Sequence, residues 1–285
     1  MLSTNITVCI FAWNEAPRLR RCIDNFRDRF PMLVVDNAST DRTCEVAAEE
    51  GVPAVTVKNP GFIETPEVMD VVMAHCNTEY VLISSVSEYV PLTLLQLYAD
   101  TANRRSYDVV RAYRQSITAG QPIAIGGRPN SGDPGQLRFF RKGSISYKSN
   151  HVHGIGIPVV PEDRVLSVVA QEIYHFFQFR DYDCSRTEQV LCRYDDLLAS
   201  QRYADGARFN FLLAFWRAFL AFFNNYFRFG AFRFGMLGFI HSYYRFHMEF
   251  SVWLRLWEWQ HGLTLPDVKQ RNDAVRTRLE AEDCH

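Results

Sequence analysis

Polar and ionisable residues gather where apolar runs stop. ITVCIFAW (Ile6–Trp13) gives way to Asn14 and Glu15. MLVVD ends in Asp36 and continues as Asn37-Ala38-Ser39-Thr40-Asp41, and YVLISS runs into Ser85, Ser87 and Glu88. A carboxylate such as Asp36 can accept hydrogen bonds from a nucleobase or a ribose. The same stretch also reads as a helix entry, with Ser39 or Thr40 as cap and Asp41 favouring the positive end of the helix. Ser39 is the better cap and Asp36 the better ligand residue. Arg138, Arg141 and Lys142 in QLRFFRK offer cations for phosphate, arginine through two parallel bonds; residues alternating out of a strand into water would have the same spacing. Three carboxylates are placed to accept a proton: Glu88, Glu162 and Asp163. Glu88 stands equally well as an acidic residue ahead of the helix PLTLLQLYAD. His151 and His153 share a face if the chain is extended, although H-x-H alone is a weak metal signal. His153 is a candidate base or phosphate ligand, against a satisfied structural histidine.

The elements that must position these groups alternate. After the first apolar run, Leu19, Cys22, Ile23 and Phe26 recur on one helical face. MLVVD, AVTVKN and YVLISS read as further buried strands, with STDRTCEVAAEEG and PEVMDVVMAHC as helices between them. This alternation predicts a mostly parallel sheet flanked by helices. In such a sheet, ligands sit beyond the carboxyl ends of the strands, where Asn14, Glu15, Asp36 and Ser85 fall. Gly120–Gln136 is dense in turn formers and reads as a loop, either covering a site or only connecting strands.

Composition bounds the function. The chain has 285 residues, is 47% hydrophobic and 22% charged, and carries a net charge of −1, which gives no nucleic-acid footprint. Its seven cysteines are odd in number and form no C-x-x-C pair, which fits free thiols in a reducing compartment. The first residues run directly into a strand-like segment without a charged n-region, so no cleavable leader is expected. Of 40 aromatic residues, 20 lie between Phe209 and Trp259. That shift sets an expected boundary near residue 205, with a first domain over 1–205, a helical region over 206–265 and a charged tail over 266–285. Arg217, Arg233, Arg245 and Arg255 interrupt the apolar runs, so no spanning helix is expected. Phe and Trp edged with Arg and His suit the headgroup zone of a bilayer. The alternative is a helical layer on the domain or a homodimer contact.

The pair Trp13-Asn14-Glu15 and Asp36-Asn37-Ala38-Ser39-Thr40-Asp41, at this separation, resembles the N-terminal half of family 2 glycosyltransferases with the GT-A fold. QLRFFRKGSISYKSNHVHG and RFGAFRFGMLGFIHS look like segments of bacterial lipopolysaccharide-core and capsule sugar transferases, so the resemblance covers residues 6 to about 260. It implies transfer of a sugar from a nucleotide-diphosphate sugar to a glycan, lipid-linked or other acceptor, with inversion. It implies that Asp36 contacts the base, with Ala12, Trp13, Asn14, Glu15 and Asn37 alongside. It implies that Ser85 and Ser87 line the pocket and that His175 stands where a metal-binding or phosphate-binding histidine falls; a metal-independent transfer would draw its phosphate contacts from Arg138, Arg141 and Lys142, and an inverting one its base from Glu88, Asp163 or His153. The pattern breaks in three places. Ser85 and Ser87 replace the D-x-D aspartates that hold Mg²⁺ or Mn²⁺, Pro66 and Glu67 stand where Arg-Asn is frequent, and Gly154 follows HVH in place of glutamate. Three readings follow: a metal-independent enzyme using basic side chains, a metal held by His151, His153 and His175, or a catalytically inactive scaffold that still binds nucleotide sugar. No divalent ion is expected at Ser85 and Ser87. A cytoplasmic protein on the inner membrane face is the expected location.

Overall fold

The computed structural model describes residues 1–59, 64–123, 135–148, 156–180 and 183–283. They fall into two compact units, Met1–Tyr182 and Asp183–His285.

The first unit is built on strands β1 (Ile6–Ala12), β2 (Met32–Asp36), β3 (Ala54–Thr56), β4 (Tyr80–Ser85), β5 (Glu88–Tyr89), β6 (Val109–Ala112), β7 (Arg114–Thr118), β8 (Gln121–Ile123), β9 (Gln136–Arg141), β10 (Ile145–Ser146), β11 (Ile157–Pro158), β12 (Val165–Ser167) and β13 (Phe176–Arg180). Its helices are α1 (Ala16–Phe26), α2 (Thr43–Glu49), α3 (Pro66–Ala74) and α4 (Leu92–Arg104). Seven strands form the main sheet in the order β12-β6-β9-β4-β1-β2-β3. All run parallel except β9, which is antiparallel to both neighbours. A four-stranded sheet, β5-β13-β7-β8, and a β10-β11 pair complete the unit. This is the α/β architecture that the strand–helix alternation predicts.

Both faces of the main sheet are covered, as parallel strands require. Successive side chains point to opposite faces. Ile6, Val8 and Ile10 of β1 therefore join the core made by Leu19, Ile23 and Phe26 of α1 and Leu94, Leu95 and Tyr98 of α4. Cys9, between them, joins the opposite core with Met69 and Val72 of α3. There its thiol lies 3.4 Å from that of Cys76. Helix α3 starts at Pro66 behind a Thr65 cap that accepts the Val68 N–H.

The second unit is helical: α5 (Cys184–Ala204), α6 (Phe211–Phe223), α7 (Gly235–His261) and α8 (Leu265–Asp283). Asp183 caps α5 and Asn210 caps α6. The division falls at Tyr182/Asp183 and not near residue 205, because α5 packs on α7. Arg202 pairs with Glu249 at 3.0 Å, the Tyr244 hydroxyl donates to the Cys184 carbonyl at 3.1 Å, and Arg255 pairs with Asp196. A wide turn at Asn224–Arg228 and a 3-10 turn at Ala231–Phe234 join α6 to α7. Gly238 lets the backbones close up there: a Cβ would stand 1.8 Å from the Ala231 carbonyl oxygen. The charged C-terminal segment is a solvent-exposed helix, α8, with i,i+4 pairs such as Arg276–Glu280. Among the described residues no helix is long and apolar enough to cross a membrane.

Candidate functional site

The three central strands end level with one another. Ala12 of β1 is in register with Asp36 of β2, and Phe11 with Ser85 of β4. The loops that follow are therefore neighbours, and they are tied together by side chains. Asn14 adopts a left-handed conformation (φ 54°), which asparagine tolerates better than most residues. Its Oδ1 accepts the Thr40 N–H at 2.8 Å and the Asp41 N–H at 3.3 Å, and its own N–H donates to Ser39 Oγ at 2.9 Å. Asp41 accepts N–H groups from Ala16 at 3.1 Å and Thr43 at 2.9 Å, and the Thr43 hydroxyl as well. Partial burial works against its charge, but these donors hold its carboxyl below the usual range. The Glu15 N–H donates to Thr43 Oγ1 at 2.8 Å, and the Glu15 carboxylate pairs with Arg18 at 2.6 Å. Ser39 was expected to cap α2. Its hydroxyl is instead taken by Asn14, and Asp41 supplies the acceptor at the helix start.

Asp36 stands at the expected strand end but is 1% exposed. Its carboxylate accepts the Ser39 N–H at 3.1 Å and the Thr56 hydroxyl at 3.4 Å. Asn37 donates its N–H to the Ala12 carbonyl, and its amide exchanges two bonds with the Asn59 backbone, at 2.7 and 2.6 Å. Trp13, Asn14, Glu15 and Asn37 remain half-buried at the mouth.

At the β4 tip the hydroxyls of Ser85 and Ser87 lie 3.1 Å apart. Buried Glu88 accepts the Ser85 N–H at 3.0 Å and pairs with Arg138 at 2.9 Å. Arg138 is itself mostly buried. Burial opposes its charge, but Glu88 and then Glu64 hold the guanidinium protonated. Glu64 is pushed up chiefly by burial and further by the charge of Glu88, with Arg138 pulling it back. Burial, then Glu64, also raises the Tyr147 phenol, whose hydroxyl is buried without a hydrogen-bond partner among the described residues. The sequence reading missed Glu64 and Tyr147; no local pattern signals them, since their approach to Arg138 depends on tertiary pairing.

Five candidate site residues lie elsewhere. Because β9 is antiparallel, Arg141 comes opposite Tyr80, at the amino end of β4. It pairs there with Glu79 at 2.7 Å and Asp108 at 3.6 Å, and Lys142 donates to the Cys76 carbonyl. Neither reaches the Ser85 end. Asp163, with Glu162, sits in a 3-10 turn leading into β12, again at the amino ends of the parallel strands. His175 is a buried core residue, its Nε2–H donating to the Val169 carbonyl at 3.1 Å and its ring 4.7 Å from that of Tyr113. His151 and His153, and most of Gly120–Gln136, lie outside the described residues.

The β4 tip does not fit a divalent metal. Its hydroxyls face each other, and the carboxylate bonded at the tip, Glu88, is held by an arginine, whereas Mg²⁺ or Mn²⁺ wants free anionic oxygen. No group of three or more His, Cys, Asp or Glu able to hold a metal occurs among the described residues.

An open, mostly parallel α/β sheet whose polar loops converge past the carboxyl ends of β1, β2 and β4 defines a ligand-binding class of fold. Residues 7–62, the segment from β1 to just past β3, match Glycosyl transferase family 2 in sequence. The matched segment carries the Asn14 and Asp36 loops; the match does not extend to the serine tip or to the helical unit. No curated protein matches the chain. Among solved structures, glucosyl-3-phosphoglycerate synthase of Mycobacterium tuberculosis is 19% identical, with 39% of this chain and 44% of that chain covered and a TM-score of 0.32. The stretch matched in that comparison is less than half of that solved chain. Residues 1–349 of S. aureus TarS with UDP-GlcNAc give 11% identity, 92% and 93% coverage and a TM-score of 0.47. The mannosyltransferase PcManGT of Pyrobaculum calidifontis, with GDP-Man and Mn²⁺, gives 15%, 96% and 80%, and 0.42. Such distant likeness transfers no residue's role.

Proposed function

We propose that this protein is a glycosyltransferase that moves a sugar from a nucleotide-diphosphate sugar to a glycan or lipid-linked acceptor, with inversion and without a divalent metal. The observation that carries the reading is the family 2 match over β1 to β3, the elements that bring Asn14 and Asp36 to one mouth. In this reading Ala12, Trp13, Asn14, Glu15, Asp36, Asn37, Ser85 and Ser87 form the nucleotide pocket. Arg138 supplies the fixed positive charge near the diphosphate. Glu88 takes the proton of the acceptor hydroxyl as that oxygen bonds to the anomeric carbon and the nucleotide diphosphate leaves with the bonding pair. The work is placed on the cytoplasmic side, at the inner membrane face.

The second reading is an inactive scaffold that binds nucleotide sugar. It is favoured by the serine pair at the tip and by the engagement of Glu88 with Arg138. Calorimetry with UDP-GlcNAc, UDP-glucose and GDP-mannose, each with and without Mn²⁺, separates the readings when paired with a donor-turnover assay. The enzyme reading expects binding of one donor that Mn²⁺ does not improve, with turnover lost at least about a hundredfold in Glu88→Gln while donor binding persists. Binding without turnover gives the scaffold; no binding of any donor refutes both.

A further inference from the structure

Between Gly206 and Met248 the chain has no aspartate or glutamate, and it has five arginines: Arg208, Arg217, Arg228, Arg233 and Arg245. All five are exposed. None has a carboxylate partner among the described residues, the ion pairs of this unit using Arg202, Arg255, Arg276 and Arg278. Arg228 and Arg233 lie near aromatic rings, 5.9 Å from Phe229 and 5.7 Å from Phe232. The same stretch exposes its largest apolar side chains in a row. Phe211, Phe215, Phe219 and Phe223 follow at four-residue intervals along α6, with Trp216 at 55% and Leu212 at 77% exposure beside them. That interval sets them along one face, while Ala214 and Ala218 are the buried positions. A contiguous apolar row of this kind marks an interaction surface, unlike single scattered apolar residues.

Charge and length choose the occupant. A second copy would bring five unpaired arginines against five more, with no carboxylate in the stretch to answer them. An α6 of 13 residues is about 20 Å long, short of the roughly 30 Å needed to cross a hydrocarbon core, so it can only lie along a boundary. We propose that this face of α6 rests in the headgroup zone of a bilayer rich in anionic lipid, its Phe and Trp side chains entering the acyl boundary and the exposed arginines meeting lipid phosphates. This deepens the location given above and rests on it, and it is independent of the transfer chemistry.

The test is co-sedimentation of the full chain with vesicles of phosphatidylglycerol and phosphatidylcholine in equal parts, against phosphatidylcholine alone. Binding to the mixed vesicles should exceed binding to phosphatidylcholine at least about tenfold and weaken with salt. Phe215→Ser with Phe219→Ser should lose about tenfold or more. Arg228→Gln and Arg233→Gln should each lose about fivefold. Tryptophan emission should shift to the blue on the mixed vesicles, less so in Trp216→Phe. Circular dichroism and nucleotide-sugar calorimetry on the same variants should not change, which separates loss of docking from failure of the transferase reading. The proposal is overturned by absence of binding to the mixed vesicles, or by binding that ignores the phenylalanine substitutions. It is equally overturned by a concentration-dependent dimer that those substitutions abolish, since a second copy would then cover the face.

Discussion

At the scale of single residues, the site is made of groups that hold each other. Asp36 gives its carboxylate to the Ser39 N–H and the Thr56 hydroxyl, so any nucleotide contact must share a carboxylate already in use. Asp36→Ala should weaken nucleotide-sugar binding by about 1–3 kcal/mol. Asp36→Asn keeps one acceptor for the loop and so tests the charge itself. Unchanged calorimetric binding in both variants, with the fold intact, removes Asp36 from the pocket. Legibility divides at this scale as well. Asn14, Asp36 and the serine pair were readable because each ends an apolar run, and strand ends are where such sheets present ligand-binding groups. That Asn14 would latch the second loop was not readable, because it depends on the level register of β1 and β2. Glu64 comes within electrostatic range of Arg138 only through the tertiary fold, and nothing in ETPEVMD announces it.

At the scale of elements, strand direction decided what the sequence could not. Alternating side chains in QLRFFRK have the same period whichever way the strand runs. The strand was recognisable, but its antiparallel course, which carries Arg141 and Lys142 to the far end of the sheet, was not. The far end has its own cluster. Asp108, just before β6, is bridged by Arg164 at 2.9 and 3.0 Å and is also reached by Arg141. The Arg164 hydrogen bonds hold the Asp108 carboxyl below its ordinary value, against the opposing effect of burial. A depressed folded-state pKa means the stabilisation is complete above the unfolded value of about 3.9 and is lost as pH falls through the folded value. Asp108→Asn should therefore lower stability by about 2 kcal/mol at pH 7. The difference from the parent should shrink as the pH of denaturant melts is lowered below about 4. A difference that stays constant to pH 2 would show that the ion pair contributes nothing.

At the scale of the whole molecule, the two units answer to different probes. The close approach of α7 to the Ala231 turn depends on the missing side chain at Gly238, so Gly238→Ala should cost about 1–3 kcal/mol. The loss should appear in the helical unit alone, with nucleotide-sugar binding by the sheet unit kept. A uniform loss across both transitions would show that the units unfold as one. The cysteines supply a way to watch this without any substitution. Cys9, Cys22 and Cys76 are buried within the sheet unit, whereas Cys184 and Cys192 are exposed on α5. An alkylating reagent therefore finds two thiols at once on α5, while the three interior thiols become reactive only when the sheet opens. The slow phase of labelling is then a clock for the breathing of the sheet unit, and a bound nucleotide sugar that stabilises that unit should slow it in proportion to its occupancy.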